Sequence, residues 1–285
     1  DYYRTAIARD ARGTVWVVTA AQVTGNWDLY GWPCVDGTWG DQVRLTDDPQ
    51  PDMHQQLVRD PQGAIWLVWQ GFRGGQCDIL ARRWADGKWE QTLCISSSTA
   101  SDWEPSCAPH PGGGIAVAWD SYEHGQYDIF CRRIVAAGKP LGPVIRVTGG
   151  DEFEARPSVA CDLKGRLWIA YDRGGPHWGK DTGFWPEVKK TPQGTGLYAG
   201  RAIGLSLVDL ESGSVLAAPT PRITFSPDAA LGEQVEYPRL VSDQQGRLWL
   251  FFRRQVDLDV MKRGVGWKYH WELYVSRLDA STGQW

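Results

Sequence analysis

Apolar and polar residues alternate in short runs along the chain, and one such run recurs at a nearly constant interval. Each copy is a Gly, one variable residue and an alternating apolar stretch, which carries Trp in four of the five copies. The copies begin at Gly13, Gly63, Gly113, Gly165 and Gly246, about 50 residues apart except for the last step. Alternation with a period of two predicts β-strands. A repeat built only from strands predicts a stack of similar small sheets, because one unit cannot bury its own faces.

Four strands are predicted in each unit. Strand a leads into an Asp-x-x-Gly turn, in which Asp binds the turn amides and Gly supplies positive φ, and strand b is the Trp-bearing run. Strand c opens with a Gly-x-x-Asp phrase that contains Asp28, Asp78 and Asp128. Three equivalent acids indicate a role inside the blade, since a catalytic residue is needed only once. Strand d is predicted at 42–46, 92–96, 144–148 and 221–225.

Tandem four-stranded antiparallel sheets predict an all-β fold, a β-propeller in a single domain that spans residues 1–285. The predicted units are at about 1–53, 54–105, 106–157, 158–238 and 239–285, and the fifth is incomplete because it ends near the expected start of its strand d. Either the propeller has five blades and closes with an incomplete one, or the chain is a fragment of a longer propeller. We favour the fragment, because residues 1–12 contain no spare strand d.

Composition agrees with short aromatic strands and tight turns, since the 285 residues include 17 Trp, 33 Gly and 17 Pro but only 2 Met. The net charge of −4 is spread over mixed signs, so we expect no nucleic-acid partner. No apolar run reaches the length of a membrane span, and we expect no membrane insertion. The start at Asp1 is compatible with a processed, exported protein, so we expect an extracellular or periplasmic location.

The six cysteines lie within strand phrases and not at the spacings of a disulfide framework. We interpret most of them as small buried apolar residues. The five histidines lie in different units without metal-binding spacing, so neither a metal site nor a cofactor is expected.

Loops of variable length gather on one face of the predicted propeller, the face that receives the b-to-c and d-to-a connections. Unit four has an insertion of roughly 30 residues in its b-to-c connection, from Tyr171 through Gly200, and unit five has a longer loop at Arg253–His270. Aromatic rings beside charged groups suit a sugar or another small polar ligand. The expected ligand contacts from the insertion are Arg173, His177, Trp178, Lys180, Asp181 and Trp185. The same face receives Asp102, Glu104, Glu154 and Arg253, which complete the expected binding site.

Three functions fit this pattern. We favour a non-catalytic module that binds a glycan or a small polar ligand, because no catalytic signature is evident and the catalytic residues cannot be named. The alternative is a carbohydrate-active enzyme, a glycoside hydrolase or polysaccharide lyase, that uses the acids and His177 on the same face. A scaffold that docks a partner domain would instead expose an apolar patch.

The repeated Asp-x-x-Gly-x-(Val/Ile/Leu)-Trp and Gly-x-x-Asp-(Ile/Leu) phrases resemble the repeats of secreted bacterial propellers of the TolB and regulator-propeller type. More narrowly, the segments 178–183, 194–198 and 246–253 are similar to the N-terminal propeller of large bacterial proteins whose C-terminal part is a PHP-like metal-dependent hydrolase domain. The resemblance implies an exported propeller with a C-terminal or partner domain. The Gly-Asp-Leu-His-x-His motif of that domain is absent, so the resemblance places any such hydrolase activity outside this chain.

Overall fold

A computed structural model describes residues 1–135, 141–175, 201–218, 235–257, 269–279 and 284–285. These residues form five antiparallel sheets, and the β-propeller prediction is confirmed. Blade 1 contains β1 (Tyr2–Arg9), β2 (Val15–Gln22), β3 (Trp27–Val35), β4 (Thr38–Trp39) and β5 (Val43–Arg44). Blade 2 contains β6 (Asp52–Arg59), β7 (Ile65–Arg73), β8 (Gln76–Ala85), β9 (Lys88–Trp89) and β10 (Leu93–Cys94). The described part of the chain contains no helix that is long and apolar enough to cross a membrane.

The other three blades follow the same order. Blade 3 contains β11 (Asp102–Pro109), β12 (Ile115–Ser121), β13 (Asp128–Ile134) and β14 (Ile145–Arg146). Blade 4 contains β15 (Phe153–Cys161), β16 (Leu167–Gly174), β17 (Ala202–Asp209) and β18 (Ser214–Ala217). Blade 5 contains β19 (Val235–Ser242), β20 (Leu248–Asp257) and β21 (Tyr269–Arg277). Strand a is the first strand of each blade, and each strand a packs against that of the next blade, from β1 through β6, β11 and β15 to β19. The first strands are therefore innermost and line the channel.

The predicted turn between strands a and b is present, and in blades 2, 4 and 5 it also anchors the Trp of strand b. In blade 2 the Oδ1 atom of Asp60 accepts the amide of Ala64 at 2.9 Å, and Oδ2 accepts the indole N–H of Trp66 at 2.9 Å. Gly63 at the end of the turn has a φ of +88°, which favours glycine. Asp162 with Trp168 and Asp243 with Trp249 repeat the indole bond at 3.1 and 3.0 Å.

Blade 3 lacks both the turn Asp and the Trp of strand b. His110 stands where the other turns have Asp, and Ala116 stands where the others have Trp. The Nδ1 atom of His110 accepts the amide of Gly112 at 3.1 Å, and Nε2 donates to the carbonyl of Gly165 in the next blade at 2.9 Å. Because Ala116 replaces the Trp, no indole at this position needs an acceptor, and the His110 ring joins two turns.

The repeated acids of strand c act inside the blade, as predicted. Asp28 and Asp128 are fully buried, and each pairs at 2.7 Å with an Arg of the outer strand, Arg44 and Arg146. The third, Asp78, accepts the side-chain amide of Gln76 at 2.8 Å. These acids tie strand c to its surroundings and are not available for catalysis.

The outer strands agree with the prediction in three blades and differ in the fourth. β5, β10 and β14 lie within the predicted ranges. In blade 4 the fourth strand is β18, at Ser214–Ala217, because a tight turn at Gly213 with a φ of +73° returns the chain directly after β17. The predicted segment 221–225 lies outside the described residues. The described part of blade 5 has three strands.

Both long b-to-c connections begin later in the chain than the sequence indicated. β16 continues to Gly174 and β20 to Asp257, so the first residues of both predicted loops belong to strand b. The blade 4 insertion joins β16 to β17, as predicted, and residues 176–200 of it lie outside the described residues.

All six cysteines are free, in agreement with the interpretation that they do not form a disulfide framework. Cys77, Cys131 and Cys161 are buried, and burial raises the pKa of the Cys131 and Cys161 thiols to about 12. They act as small apolar residues in the packing between strands.

Neighbouring innermost strands are joined by bonds from backbone amides to side chains. The amide of Leu240 in β19 donates to Oγ of Ser158 in β15 at 2.9 Å. The amide of Val159 in β15 likewise donates to Oγ of Ser106 in β11 at 3.2 Å. Both bonds are buried, so each serine supplies an acceptor to an amide that would otherwise have no hydrogen-bond partner.

Replacing Ser158 by Ala removes the acceptor of the Leu240 amide, and we expect a loss of about 1–3 kcal/mol in the free energy of unfolding. Urea unfolding followed by circular dichroism measures the loss. Ser214→Ala, at an exposed position of β18, is the matched control and should change stability by less than about 0.5 kcal/mol. Equal stability of the two variants would contradict a bonding role for Ser158.

Candidate functional site

Each innermost strand contains one residue in the left-handed conformation, at the same step along the strand. The five residues have φ between 47° and 57° and are Arg4, His54, Glu104, Arg156 and Tyr237. The pairing with strand b shifts register at each of these positions, as in a β-bulge. Because the bulges lie near the start of strand a, all five residues are at the end of the channel that receives the b-to-c and d-to-a connections. Non-glycine residues rarely adopt this conformation, and such residues cluster at functional sites.

The preceding blade holds three of these bulges in place. In each case a side chain from the end of strand b accepts the backbone amide of the bulge residue. The pairs are Gln70 with Glu104 at 3.0 Å, Asp120 with Arg156 at 2.8 Å, and Asp172 with Tyr237 at 2.8 Å. The three acceptors are equivalent, since each lies seven residues after its turn Gly. The carboxylates of Asp120 and Asp172 therefore position the next blade.

Three bulge side chains from successive blades meet at the mouth of the channel. The Nε atom of Arg156 lies 3.8 Å from Oε1 of Glu104, and its Nη1 lies 3.2 Å from Oδ2 of Asp172. Its Cζ lies 4.8 Å from the ring centre of Tyr237, which is a cation–π distance. We call Glu104, Arg156 and Tyr237 the axial cluster.

A buried ion network supports the axial cluster from beneath. Glu236 is fully buried and pairs with both Arg201, which is also fully buried, and Arg253. The Cζ of Arg253 lies 4.3 Å from the ring centre of Tyr237 and 4.4 Å from that of Trp271. One arginine is thus held between two aromatic rings by a buried carboxylate, which fixes the ring of Tyr237.

Solvent reaches only some of the acids around the cluster. The Glu104 side chain is 26% exposed, whereas those of Asp172 and Glu236 are fully buried. Burial raises the pKa of Asp172 to about 6, against the opposing effect of Arg156. Glu104 is therefore the carboxylate of this group that a ligand in the channel mouth can contact.

The structure brings two of the expected site residues together. Glu104 and Arg253 meet through Arg156 and Tyr237. Arg173 instead forms an ion pair with Glu152 at 3.2 Å, with both side chains about half exposed.

Asp102 and Glu154 each lie two residues before a bulge, within the first two residues of their strands, and both are buried. Oδ2 of Asp102 accepts the hydroxyl of Ser98 at 3.1 Å. Burial raises the pKa of Glu154 to about 7, and the nearby charge of Asp128 adds to the shift. The other expected contacts, His177, Trp178, Lys180, Asp181 and Trp185, lie outside the described residues.

Several residues at the channel mouth were not predicted, namely Arg4, His54, Arg156, Arg201 and Tyr237. A signal for three bulges was present in the sequence: Pro105, Pro157 and Pro238 each lie eight residues before a turn Gly, and each follows a bulge residue. Within the described ranges, no group of three His, Cys, Asp or Glu residues is arranged to hold a metal ion.

No protein-family profile matches this sequence, and no curated protein matches it. Solved structures do share its fold. The α-L-arabinanase of Penicillium chrysogenum, complexed with arabinobiose, aligns with a TM-score of 0.54 at 12% identity, over 88% of this chain and 77% of that one. A protein of unknown function from Dyadobacter fermentans aligns with a TM-score of 0.58 at 12% identity, over 96% and 76%. A variant of the α-L-arabinofuranosidase of Fusarium graminearum, bound to an iminosugar inhibitor, gives 0.50 at 12% identity, over 99% and 94%.

These comparisons support a propeller but correct two expectations. They give no support to the TolB type of propeller or to an association with a PHP-like domain. They also contradict the hypothesis of a non-catalytic binding module, because the similar structures of known activity are enzymes that act on carbohydrates. Since a shared fold does not assign an activity, the chemistry has to come from the residues at the channel mouth.

The raised pKa of Glu154 predicts a pH dependence of stability. The folded state holds the proton up to a pKa of about 7, whereas the unfolded carboxyl releases it near 4.5, so stability falls as the pH rises between these values. The slope should reach about 1.4 kcal/mol per pH unit for one proton. Urea unfolding of the wild type and of Glu154→Gln from pH 4 to 8 measures it, and the variant should lose this component. A variant with the slope of the wild type would show that Glu154 is not the group responsible.

Proposed function

We propose that this chain is a glycoside hydrolase whose substrate binds at the channel mouth, with Glu104 as its principal catalytic carboxylate. The observation that supports this most strongly is the convergence of Glu104, Arg156 and Tyr237, from three successive blades, on one partly exposed point of the channel. Left-handed backbone at all three residues indicates that their placement is imposed at some conformational cost.

Glu104 is suited to act as nucleophile or base. Arg156 lies against it and favours the ionised carboxylate, which can attack the anomeric carbon or activate a water molecule. Arg156 is itself held by the buried carboxylate of Asp172, so its charge stays in place when substrate displaces solvent. Glu104 and Asp172 contact the same guanidinium, so their carboxylates lie within the roughly 9 Å that glycoside hydrolysis allows for its two carboxyl groups. Asp172 is buried, however, and cannot be the second reacting group.

We assign the acid role to His54. It occupies the equivalent bulge on the blade before that of Glu104, and its Nε2 lies 3.4 Å from the hydroxyl of Tyr3. Imidazole titrates near neutral pH and can protonate the leaving oxygen of a glycosidic bond.

The charges around the cluster favour an uncharged sugar. Three cations, Arg156, Arg201 and Arg253, face three carboxylates, those of Glu104, Asp172 and Glu236. Because these six charges balance, the described cluster presents no net positive charge to an acidic glycan. Arabinose-containing oligosaccharides are the first substrates to test, since an arabinanase and an arabinofuranosidase share the fold.

The decisive experiment replaces Glu104 by Gln, which keeps the shape and removes the ionisable group. We expect hydrolysis of arabino-oligosaccharides or of aryl glycosides, followed by reducing-end release or chromophore release, to fall about 100- to 10,000-fold. Glu152→Gln makes the same change at an exposed position on the same face, and its activity should match that of the wild type. Thermal unfolding of both variants shows whether the fold is retained.

Two results would reject this proposal. One is full activity in a folded Glu104→Gln variant, and the other is a wild-type protein that hydrolyses no member of a broad glycan panel. The assignment of His54 is tested separately, because His54→Gln should remove the alkaline limb of the pH–rate profile while leaving the limb that depends on Glu104.

A further inference from the structure

A polar pocket lies between blades 2 and 3, on the same face of the propeller as the axial cluster. Its volume is about 280 Å³, enough for one sugar ring. It extends outward from Asp102 at the start of β11, past Ser121 at the end of β12, to Arg146 of the outer strand. The apolar side of the pocket is formed by the edge of Trp119.

Two buried oxygens at this pocket form no hydrogen bond of normal length within the described part of the chain, although the Ser121 hydroxyl faces the Asp102 carboxylate. They are Oδ1 of Asp102 and Oγ of Ser121, on residues that are 0% and 1% exposed. The two residues are directly opposed in the pairing of β11 with β12, so both oxygens lie at one end of the pocket. A buried polar atom without a hydrogen bond costs about 1–3 kcal/mol. A ligand that carries a hydroxyl would recover that cost by donating to Asp102.

The charges of the pocket select the kind of ligand. The guanidinium of Arg146 is matched by Asp128 at 2.7 Å, which leaves the carboxylates of Asp102 and Glu123 in excess. An anionic sugar is disfavoured by this excess. At the open rim, the exposed residues Glu123 and His124 of the b-to-c turn supply an acceptor and a further hydrogen-bonding group.

We propose that this pocket is an accessory site that binds a single uncharged sugar residue, through hydroxyl donation to Asp102 and contact of the ring with Trp119. It is separate from the axial cluster and takes no part in bond cleavage. Binding here therefore does not require hydrolysis at Glu104.

Binding is measured on the Glu104→Gln variant, so that no substrate is consumed. The probes are L-arabinose, D-xylose, D-galactose and D-glucose, with N-acetylneuraminic acid as the anionic comparison, detected by saturation-transfer NMR and titration calorimetry. We expect at least one neutral sugar to bind and the anionic sugar not to bind. Replacement of Glu123 by Gln together with His124 by Ala, both exposed, should weaken binding at least 10-fold without loss of stability.

Asp102→Asn should weaken binding as well, but it alters a buried group, so the rim variant is the primary test. Asp151→Asn, at an exposed position on the same face, is the control and should bind sugar as Glu104→Gln does. The inference is wrong if no neutral sugar binds, or if binding survives the rim substitutions. A protein that hydrolyses nothing but loses sugar binding in the rim variant would support this site and reject the proposed function.

Discussion

The backbone amides on the channel-facing edge of the innermost strands need hydrogen-bond acceptors, and the rest of the structure depends on how these are supplied. In an isolated sheet, the amides of an edge strand would be free to pair with another chain or with water. Here blades 2, 3 and 4 each supply side-chain acceptors to the next blade. Ser158 accepts the amide of Leu240 in β19. Asp172 accepts the amide of Tyr237, which lies three residues earlier in β19. The interface between blades thus combines directional bonds with apolar packing, and the bonds set how far one blade is rotated from the next.

The same bonds explain why so few of the acids at the channel mouth are available for chemistry. Asp120 and Asp172 are committed to the bulge amides of the following blade, and Asp28 and Asp128 to arginines of the outer strand. Glu104 differs because it is itself a bulge residue, with its amide held by Gln70 and its carboxylate directed to the channel. The scaffold uses the backbone of such a residue and leaves its side chain partly exposed.

Sequence periodicity was sufficient to predict the sheets, because alternation and turn chemistry are local. The bond of Asp60 to the Trp66 indole is an example, since both residues lie within one hairpin. The acids expected on the ligand face were also assigned to the correct end of the blades. What could not be predicted was which side chains meet across blades, as Arg156 and Tyr237 do, because nothing local encodes a contact between residues 81 positions apart. Loop length drew attention to the insertion of blade 4, whereas the described cluster is built from regular strands.

Charge burial accounts for the rigidity of the cluster. Glu236 and Arg201 are fully buried, and burial of such a pair costs more than an apolar pair would unless its geometry is well satisfied. That cost is offset here because Glu236 also binds Arg253, which stacks on the rings of Tyr237 and Trp271. A shift of Tyr237 would break the stacking and expose the ion network to rearrangement, so the ring and the neighbouring Arg156 are held in one arrangement. Electrostatic groups that are fixed before substrate arrives need no reorganisation during reaction, and this is the property that a hydrolytic site on a rigid propeller requires.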